Sequence, residues 1–208
     1  MSRIYRAKIL GYFIYFLVNE KGELVANGVP HPDKKRAWEF LLRCTPVDLS
    51  GIPLLECEEG YSDLINALVR LYEGEHADVK VDLRFTNLSI TEINVLRAIR
   101  IIPRGKVTTY SSLARALGLR SPRLIARILS RNPFPLIFPC HRVVRSDGII
   151  GGYMGSRDLW YVKAGILSRE GVDIVGRRVA SLKRYFYALK EEELKGYLSN
   201  SSPKVDNT

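Results

Sequence analysis

Acidic residues are missing from one long stretch of this 208-residue chain: between Arg97 and Arg145 there are eleven Lys or Arg and no Asp or Glu. The net charge is +10, and the acids gather elsewhere, nine of them against two bases from Asp48 to Asp82. Unrelieved positive charge repels itself unless an anionic partner offsets it. Nucleic-acid phosphate is the first candidate for that partner. Cysteine is also scarce, with only Cys44, Cys57 and Cys140. An odd, scattered set excludes the disulfide framework of a small secreted protein and leaves Cys44–Cys57 as the one bridge to consider. No apolar run approaches the roughly 20 residues of a membrane span. The N-terminus is broken by Arg6 and Lys8 and lacks the small-residue cleavage site of a signal peptide. An intracellular, cytoplasmic chain with no membrane partner is expected. Glutamine is absent while Lys and Arg number 32, a balance that points to a thermophilic source.

What is present divides near Thr86 and Asn87. The N-terminal segment reads as an alternating strand pair, and residues 7–30 as two strands joined through a turn at Glu20-Lys21-Gly22. A helix follows in PDKKRAWEFLLRC, with Trp38, Leu41 and Leu42 at helical spacing. A second helix, GYSDLINALVRLYEG, carries Leu64, Leu68 and Leu71 and ends at Gly74. HADVKVDLRF then reads as a strand. Beyond residue 87, Ser89 and Glu92 have the spacing of a capping box. TTYSSLARALG is a short helix, and a second begins where Ser121 can cap and Pro122 can take the first helical position. Two short helices across a Gly-containing turn read as a helix-turn-helix. On the second, Leu124, Ile125, Ile128 and Leu129 share one face, while Arg123, Arg127 and Arg131 run along another. Residues 176–198 read as one amphipathic packing helix, basic then acidic, and residues 199–208 as a disordered tail.

The stretch FPCHRVVR sets Cys140 directly before His141. On the dipeptide alone, Cys140 reads as a small buried apolar side chain. The apolar run Leu136-Ile137-Phe138 between prolines would deliver it on a rigid, buried segment. A thiol becomes a nucleophile as thiolate, which a neighbouring His favours. A His acting as base needs a partner to fix its tautomer. Asp147, Asp158 and Glu170 lie downstream as candidates.

IPRGKVTTYSSLARALG, SPRLIARILSRNP, PCHRVV, GGYMG and SREG together resemble the O6-alkylguanine-DNA alkyltransferase family, over roughly Leu88 to Gly171. The resemblance implies an α/β chain in three parts. These are an N-terminal ribonuclease-H-like small sheet with helices (1–87), a helical, winged-helix-like DNA-binding and alkyl-transfer domain (88–175), and a C-terminal extension (176–208). It implies direct-reversal repair of double-stranded DNA containing O6-alkylguanine, with O4-alkylthymine a second candidate substrate, by a monomer needing neither cofactor nor metal. Cys140 would be nucleophile and alkyl acceptor, His141 would take its proton through a water, and Glu170 would orient His141. Asn132 would brace the cysteine turn and Tyr110 donate to N3 of a flipped base. Arg123 would fill the space that base leaves, and Arg127, Arg131, Ser121 and Thr109 would contact DNA. Val143, Tyr153, Met154 and Gly152 would line the base pocket. The loop between Tyr153 and Lys163 is longer than the family's usual one. Three rivals stand beside this reading: an alkyltransferase-like binding protein, against which Cys140 argues, a helix-turn-helix regulator, and a cysteine hydrolase.

Overall fold

Alternation of apolar and polar side chains through the first 27 residues produces three strands. In the computed structural model, which describes residues 1–57 and 60–200, β1 (Arg3–Ile9) and β2 (Tyr12–Val18) pair antiparallel in register Tyr5↔Phe16. They turn at Leu10 and Gly11, both left-handed at φ 49° and 83°, as a two-residue hairpin matched to strand twist requires. That turn lacks the usual Asn-Gly or Asp-Gly signal, so the strand pair expected there is a triplet. β3 (Leu24–Asn27) follows the expected turn, and β4 (Leu54–Glu56), which the pattern did not announce, pairs parallel to β1. The sheet order is β3-β2-β1-β4.

Residues 76–85 do not form the expected strand. Only Leu83 bridges to Leu24, with Leu24 N–H on the Asp82 carbonyl at 2.8 Å and Arg84 N–H on the Leu24 carbonyl at 2.8 Å. The alternating Val79, Val81, Leu83 and Phe85 pack on the core edge instead, because β3 is four residues long and offers little ladder to extend.

α1 (Lys34–Cys44) starts where the Asp33 carboxylate accepts the Arg36 N–H at 2.8 Å. Its inward stripe is Ala37, Phe40, Leu41 and Cys44, while Leu42 is exposed and Trp38 half-buried. α2 (Ser62–Tyr72) buries Leu64, Ile65, Leu68 and Tyr72 and stops before Gly74 at φ 79°. A Cβ on Gly74 would lie 2.4 Å from the carbonyl carbon and oxygen of Arg169, so the chains meet there only because the side chain is missing.

The second half opens with α3 (Ile90–Ile99). Its capping box forms, with Glu92 N–H on Ser89 Oγ at 3.3 Å and Ser89 N–H on Glu92 Oε2 at 2.9 Å. β5 (Thr108–Thr109) leads into α4 (Tyr110–Ala116), which packs on α5 (Pro122–Leu129). Ser121 caps α5 and Pro122 opens it, and Ile125, Ile128 and Leu129 are buried while Arg123, Arg127 and Arg131 are exposed. A 3₁₀ turn at Cys140–Arg142 passes into β6 (Val143–Val144), parallel to β5, and then comes α6 (Trp160–Arg169).

The single helix expected over 176–198 is three elements in part or whole. β7 (Ile174–Val175), just before it, makes a hairpin with β8 (Arg178–Val179), the first of the three, and α7 (Leu182–Tyr185) and α8 (Glu191–Asn200) follow. The break falls where the backbone turns outward to pair with Val107: Val107 N–H meets the Tyr185 carbonyl at 2.8 Å and Tyr187 N–H meets the Val107 carbonyl at 2.7 Å. Those bonds replace the helical ones. Ser199 and Asn200 end α8, so the expected disordered tail does not begin there. Its last eight residues, 201–208, lie outside the described residues.

One buried cluster runs from Ile14 and Phe16 of the sheet through Leu96 and Ile99 of α3 and Ile125 of α5 to Phe138 and Cys140. Leu194 of α8 joins the same cluster, so the C-terminal helix packs as expected. Cys44, Cys57 and Cys140 are in no disulfide, so the considered Cys44–Cys57 bridge is not formed. No helix among the described residues is long and apolar enough to cross a membrane.

Candidate active site

The turn that carries Cys140 follows a segment unable to satisfy itself. Pro133, Pro135 and Pro139 supply no N–H, and Leu136 is held left-handed at φ 75°, a conformation that costs a non-glycine residue about 1–2 kcal/mol. Asn132 compensates from one side. Its Oδ1 accepts the Phe134 N–H at 3.0 Å, and its Nδ2 donates to the Phe138 carbonyl at 2.9 Å and to Cys140 Sγ at 3.3 Å. Phe85, Phe134 and Phe138 pack ring against ring behind it, with centroids 5.7–5.9 Å apart.

Cys140 is 5% exposed. Burial pushes its thiol pKa up, and the Asn132 hydrogen bond and the Lys163 ammonium pull it back without cancelling the rise. The Tyr153 hydroxyl acts in the same downward sense, yet it forms no hydrogen bond of normal geometry among the described residues. The sulfur therefore rests as a thiol among groups that favour the thiolate.

His141 is next in the same 3₁₀ turn. Its Nε2 lies 2.9 Å from Glu170 Oε1, and both side chains are 2% exposed. Burial would raise the Glu170 carboxyl, but charge and hydrogen bonds from His141 and Arg142 outweigh it and hold the pKa at about 2. Arg142 reaches both carboxylate oxygens, with Nε at 3.0 and 3.1 Å and Nη2 at 2.7 Å. Burial lowers the His141 pKa against the opposing pull of Glu170, so the ring is neutral near pH 7. Opposite an ionised carboxylate, the ring proton is assigned to Nε2 from the hydrogen-bond network. Nδ1 keeps its lone pair and has no partner among the described residues.

In front of the thiol lies a cavity of about 300 Å³. Ala126, Leu129 and Ser130 of α5 form one wall, Gly152 to Arg157 the other, and Tyr110, Lys163 and Cys140 the floor. No acid lines it. Its outer wall is a turn in which a Cβ on Gly152 would sit 2.3 Å from the Ser156 carbonyl oxygen, so only glycine lets it close. Met154, 5% exposed and left-handed at φ 46°, projects from that turn into the wall. A buried thiol, a histidine of the same turn paired with a carboxylate, and a recess in front lined by Tyr110, Arg157 and Lys163 form a site for transfer to sulfur.

A Methanothermobacter thermautotrophicus methylated-DNA–protein-cysteine methyltransferase is 39% identical over 140 residues, 62% of this chain and 77% of that protein. The chain belongs to this family. A sequence model of its part described as 6-O-methylguanine DNA methyltransferase, DNA binding domain, matches residues 91–172. A solved O6-methylguanine-DNA methyltransferase from the archaeon Pyrococcus kodakaraensis aligns over 83% of this chain and all of that one, with TM-score 0.59 and 26% identity. An O6-methylguanine methyltransferase of Mycobacterium tuberculosis aligns over 89% and 99%, at TM-score 0.59 and 19% identity, and shows the shared mixed α/β fold.

Most residues that the family pattern singles out meet at this cavity: Cys140, Tyr110, Tyr153, Met154 and Gly152 line it, and Asn132, His141 and Glu170 stand directly behind. Two do not fit. Val143 is fully buried in the β5–β6 pairing, so its side chain is core, and only its carbonyl serves the site by accepting Lys163 Nζ at 2.6 Å. Thr109 is 6% exposed, and its hydroxyl is taken up by Ser112 N–H and Ser111 Oγ as the cap of α4; a buried cap does not reach DNA. The hydroxyl of Ser121, half-buried, caps α5 by accepting the Leu124 N–H at 3.3 Å.

The family pattern as read from sequence omits Lys163, which is 1% exposed with Nζ 3.4 Å from the Tyr110 hydroxyl and 5.6 Å from its ring centre. A signal was available: Lys163 sits among Val162, Ile166 and Leu167, on the apolar stripe of α6. A lysine there is buried with no carboxylate against it, a costly placement.

Proposed function

We infer that this chain is a methylated-DNA–protein-cysteine methyltransferase, repairing O6-alkylguanine in double-stranded DNA by irreversible transfer of the alkyl group to Cys140, once per molecule. The observation that carries this reading is the buried Cys140 thiol at the base of the cavity, braced by Asn132 and backed by His141 and Glu170. His141 Nδ1 takes the thiol proton, relayed by a water, and Glu170 stabilises the imidazolium that forms. The sulfur attacks the alkyl carbon, the carbon–O6 bond breaks, and its electron pair stays on the base. Tyr110 hydrogen-bonds N3 as that charge develops, and the proton held on His141 returns through water to the base, which regains its N1–H lactam form. The thioether has no leaving group, so the site does not regenerate.

The lesion reaches the cavity by flipping, which costs a few kcal/mol and needs something to fill the gap. The packed, Gly-turned pair α4–α5 supports reading it as a helix-turn-helix, with exposed Arg123 stacking in the vacated space and Arg127 and Arg131 on phosphates. Lys163 places positive charge beside both thiol and Tyr110. The sheet order β3-β2-β1-β4, with β4 parallel to β1, supports a ribonuclease-H-like N-terminal part over 1–87, ahead of a DNA-binding part over 88–175 and an extension over 176–208. The protein acts as a monomer.

The test is mass spectrometry after mixing with duplex DNA containing O6-methylguanine. One methyl on Cys140, in one equivalent and unaffected by chelator, is the expected result. Product beyond one equivalent overturns the single-use mechanism.

A further inference from the structure

The segment that presents Cys140 is gripped from two directions, and the second grip comes from outside residues 91–172, the part matched by the DNA-binding-domain model. Asn27, at the end of β3, is fully buried. Its backbone N–H donates to the Pro133 carbonyl at 3.0 Å, and its Nδ2 donates to the Pro135 carbonyl at 3.0 Å and to Gly28 O at 3.0 Å. The proline-rich segment has few N–H groups of its own with which to turn inward. Two of its carbonyls are therefore answered by one asparagine of the N-terminal sheet.

Asn27 stands on a rigid base. It pairs with Phe16 in the β2–β3 ladder, and the next residue, Gly28, is pressed so closely on α1 that an added Cβ would lie 3.0 Å from the Leu41 nitrogen. Between the grips of Asn27 and Asn132 lies Leu136 in its left-handed conformation. A strained residue persists only where its surroundings over-determine it, and such strain gathers at functional segments. Asn27 Oδ1 meanwhile has no partner among the described residues. A buried amide with half its capacity unused is a poor choice for packing alone.

We propose that Asn27 is a positioning residue for alkyl transfer: it latches the segment 133–139 to the N-terminal sheet and so holds Cys140 Sγ at the floor of the cavity. The proposal rests on the alkyl-transfer reading, and it gives the N-terminal part a share in the chemistry without contact with the substrate. A latch of this kind leaves DNA recognition on α5 untouched. Its loss gives the thiol two opposite changes: poorer alignment with a bound base, and easier access for a small reagent that needs no alignment.

The experiment compares the parent, Asn27→Ala, and Asn66→Ala as an exposed N-terminal control, in the full chain. Two rates are followed on Cys140: benzyl transfer from free O6-benzylguanine, and alkylation by iodoacetamide. For Asn27→Ala, transfer should fall by roughly tenfold or more, as misplacement of reacting groups costs. Iodoacetamide alkylation should rise severalfold, duplex affinity should be unchanged, and Asn66→Ala should match the parent. Transfer within twofold of the parent, or both rates falling together, overturns the latch. If Asn27→Ala does not fold, hydrogen exchange in the parent decides. A latch requires the amides of Asn27, Phe134, Phe138 and Cys140 to open in one step, and separate opening of Asn27 refutes it. A parent that accepts no benzyl group on Cys140 overturns the alkyl-transfer reading instead, and the iodoacetamide and exchange results still judge the latch.

Discussion

Cys44 and Cys140 are both buried thiols, 3% and 5% exposed, and they lie in different company. Cys44 closes α1 within electrostatic reach of Cys140 and Tyr153, where burial drives its pKa far up and the charge of a Cys140 thiolate would drive it further, with Arg43 opposing. Around Cys140 burial acts in the same direction, but an amide, an ammonium and a phenol all pull back. The difference teaches that burial does not make a nucleophile. It makes an inert sulfur unless polar groups are arranged to receive the thiolate, and only one of these two regions has them.

The largest effect belongs to the sulfur itself. Cys140→Ala should abolish transfer entirely while duplex binding stays near that of the parent; label appearing on Cys44 instead would erase the contrast. Lys163→Met should come next. Removing the ammonium should slow transfer by roughly 10²-fold, the scale of one lost electrostatic stabiliser. It should also raise the pH midpoint of Cys140 alkylation by iodoacetamide, because an opposite charge no longer favours the thiolate. The groups facing the thiol are Lys163, Tyr153 and Cys44, with His141 beside it in the chain. An unmoved midpoint would remove Lys163 from the site.

Arg123→Ala should slow repair of duplex DNA by about tenfold or more and leave reaction with free O6-benzylguanine within twofold, since the free base needs no flipping. Arg127→Ala and Arg131→Ala should instead weaken binding to any duplex and lower the salt slope by roughly one. Equal loss on both substrates would reduce Arg123 to a third phosphate contact.

Glu170→Gln should slow transfer by roughly tenfold, through His141. It also sharpens the comparison through pH. Glu170 is held at about 2, below the unfolded value near 4.3, so its stabilisation is complete above that value and is lost as pH falls toward 2. The lowered His141 pKa acts in the same sense: stability is full above about 6.5 and declines below it. Thermal melting of the parent should therefore fall more steeply than that of Glu170→Gln between about pH 4.3 and 2. Parallel curves would contradict the assignment of charge to Glu170. The smallest effect is expected of Cys44→Ala, a loss of about 1–2 kcal/mol of stability with transfer unchanged.

The Cys140–His141 dipeptide is a local signal, but on its own it reads as a buried apolar side chain. The roles of Asn132, Glu170 and Tyr110 come from the family resemblance of their motifs. Cys140 and His141 are adjacent, Asn132 is eight residues away, and Glu170 falls one residue beyond the helix that carries Lys163. Caps were legible because their signal is local: Ser89 and Ser121 each act within three residues of themselves. What escaped depends on partners far along the chain. Residues 76–85 alternate like a strand, but whether they pair depends on the free edge of β3. The helical rhythm of 176–198 is interrupted by Val107, whose backbone claims Tyr185 and Tyr187. The family resemblance implies a pocket role for Val143, but the β5–β6 pairing turns its side chain inward.

The missing side chain of Gly74 bears on how variants of this protein would sort in a mutational scan. Position 74 lies past the end of α2 and makes no contact with the cavity, so by location it belongs with tolerant helix termini. Any side chain there must displace the peptide that joins Arg169 to Glu170, since its first carbon already overlaps that carbonyl. The displaced residue is the one that steadies His141. A library scored for repair would then group Gly74 with the residues of the reaction, whereas a library scored for protein abundance would group it with ordinary turns. The disagreement between two such maps would mark where an N-terminal helix is joined to the proton relay.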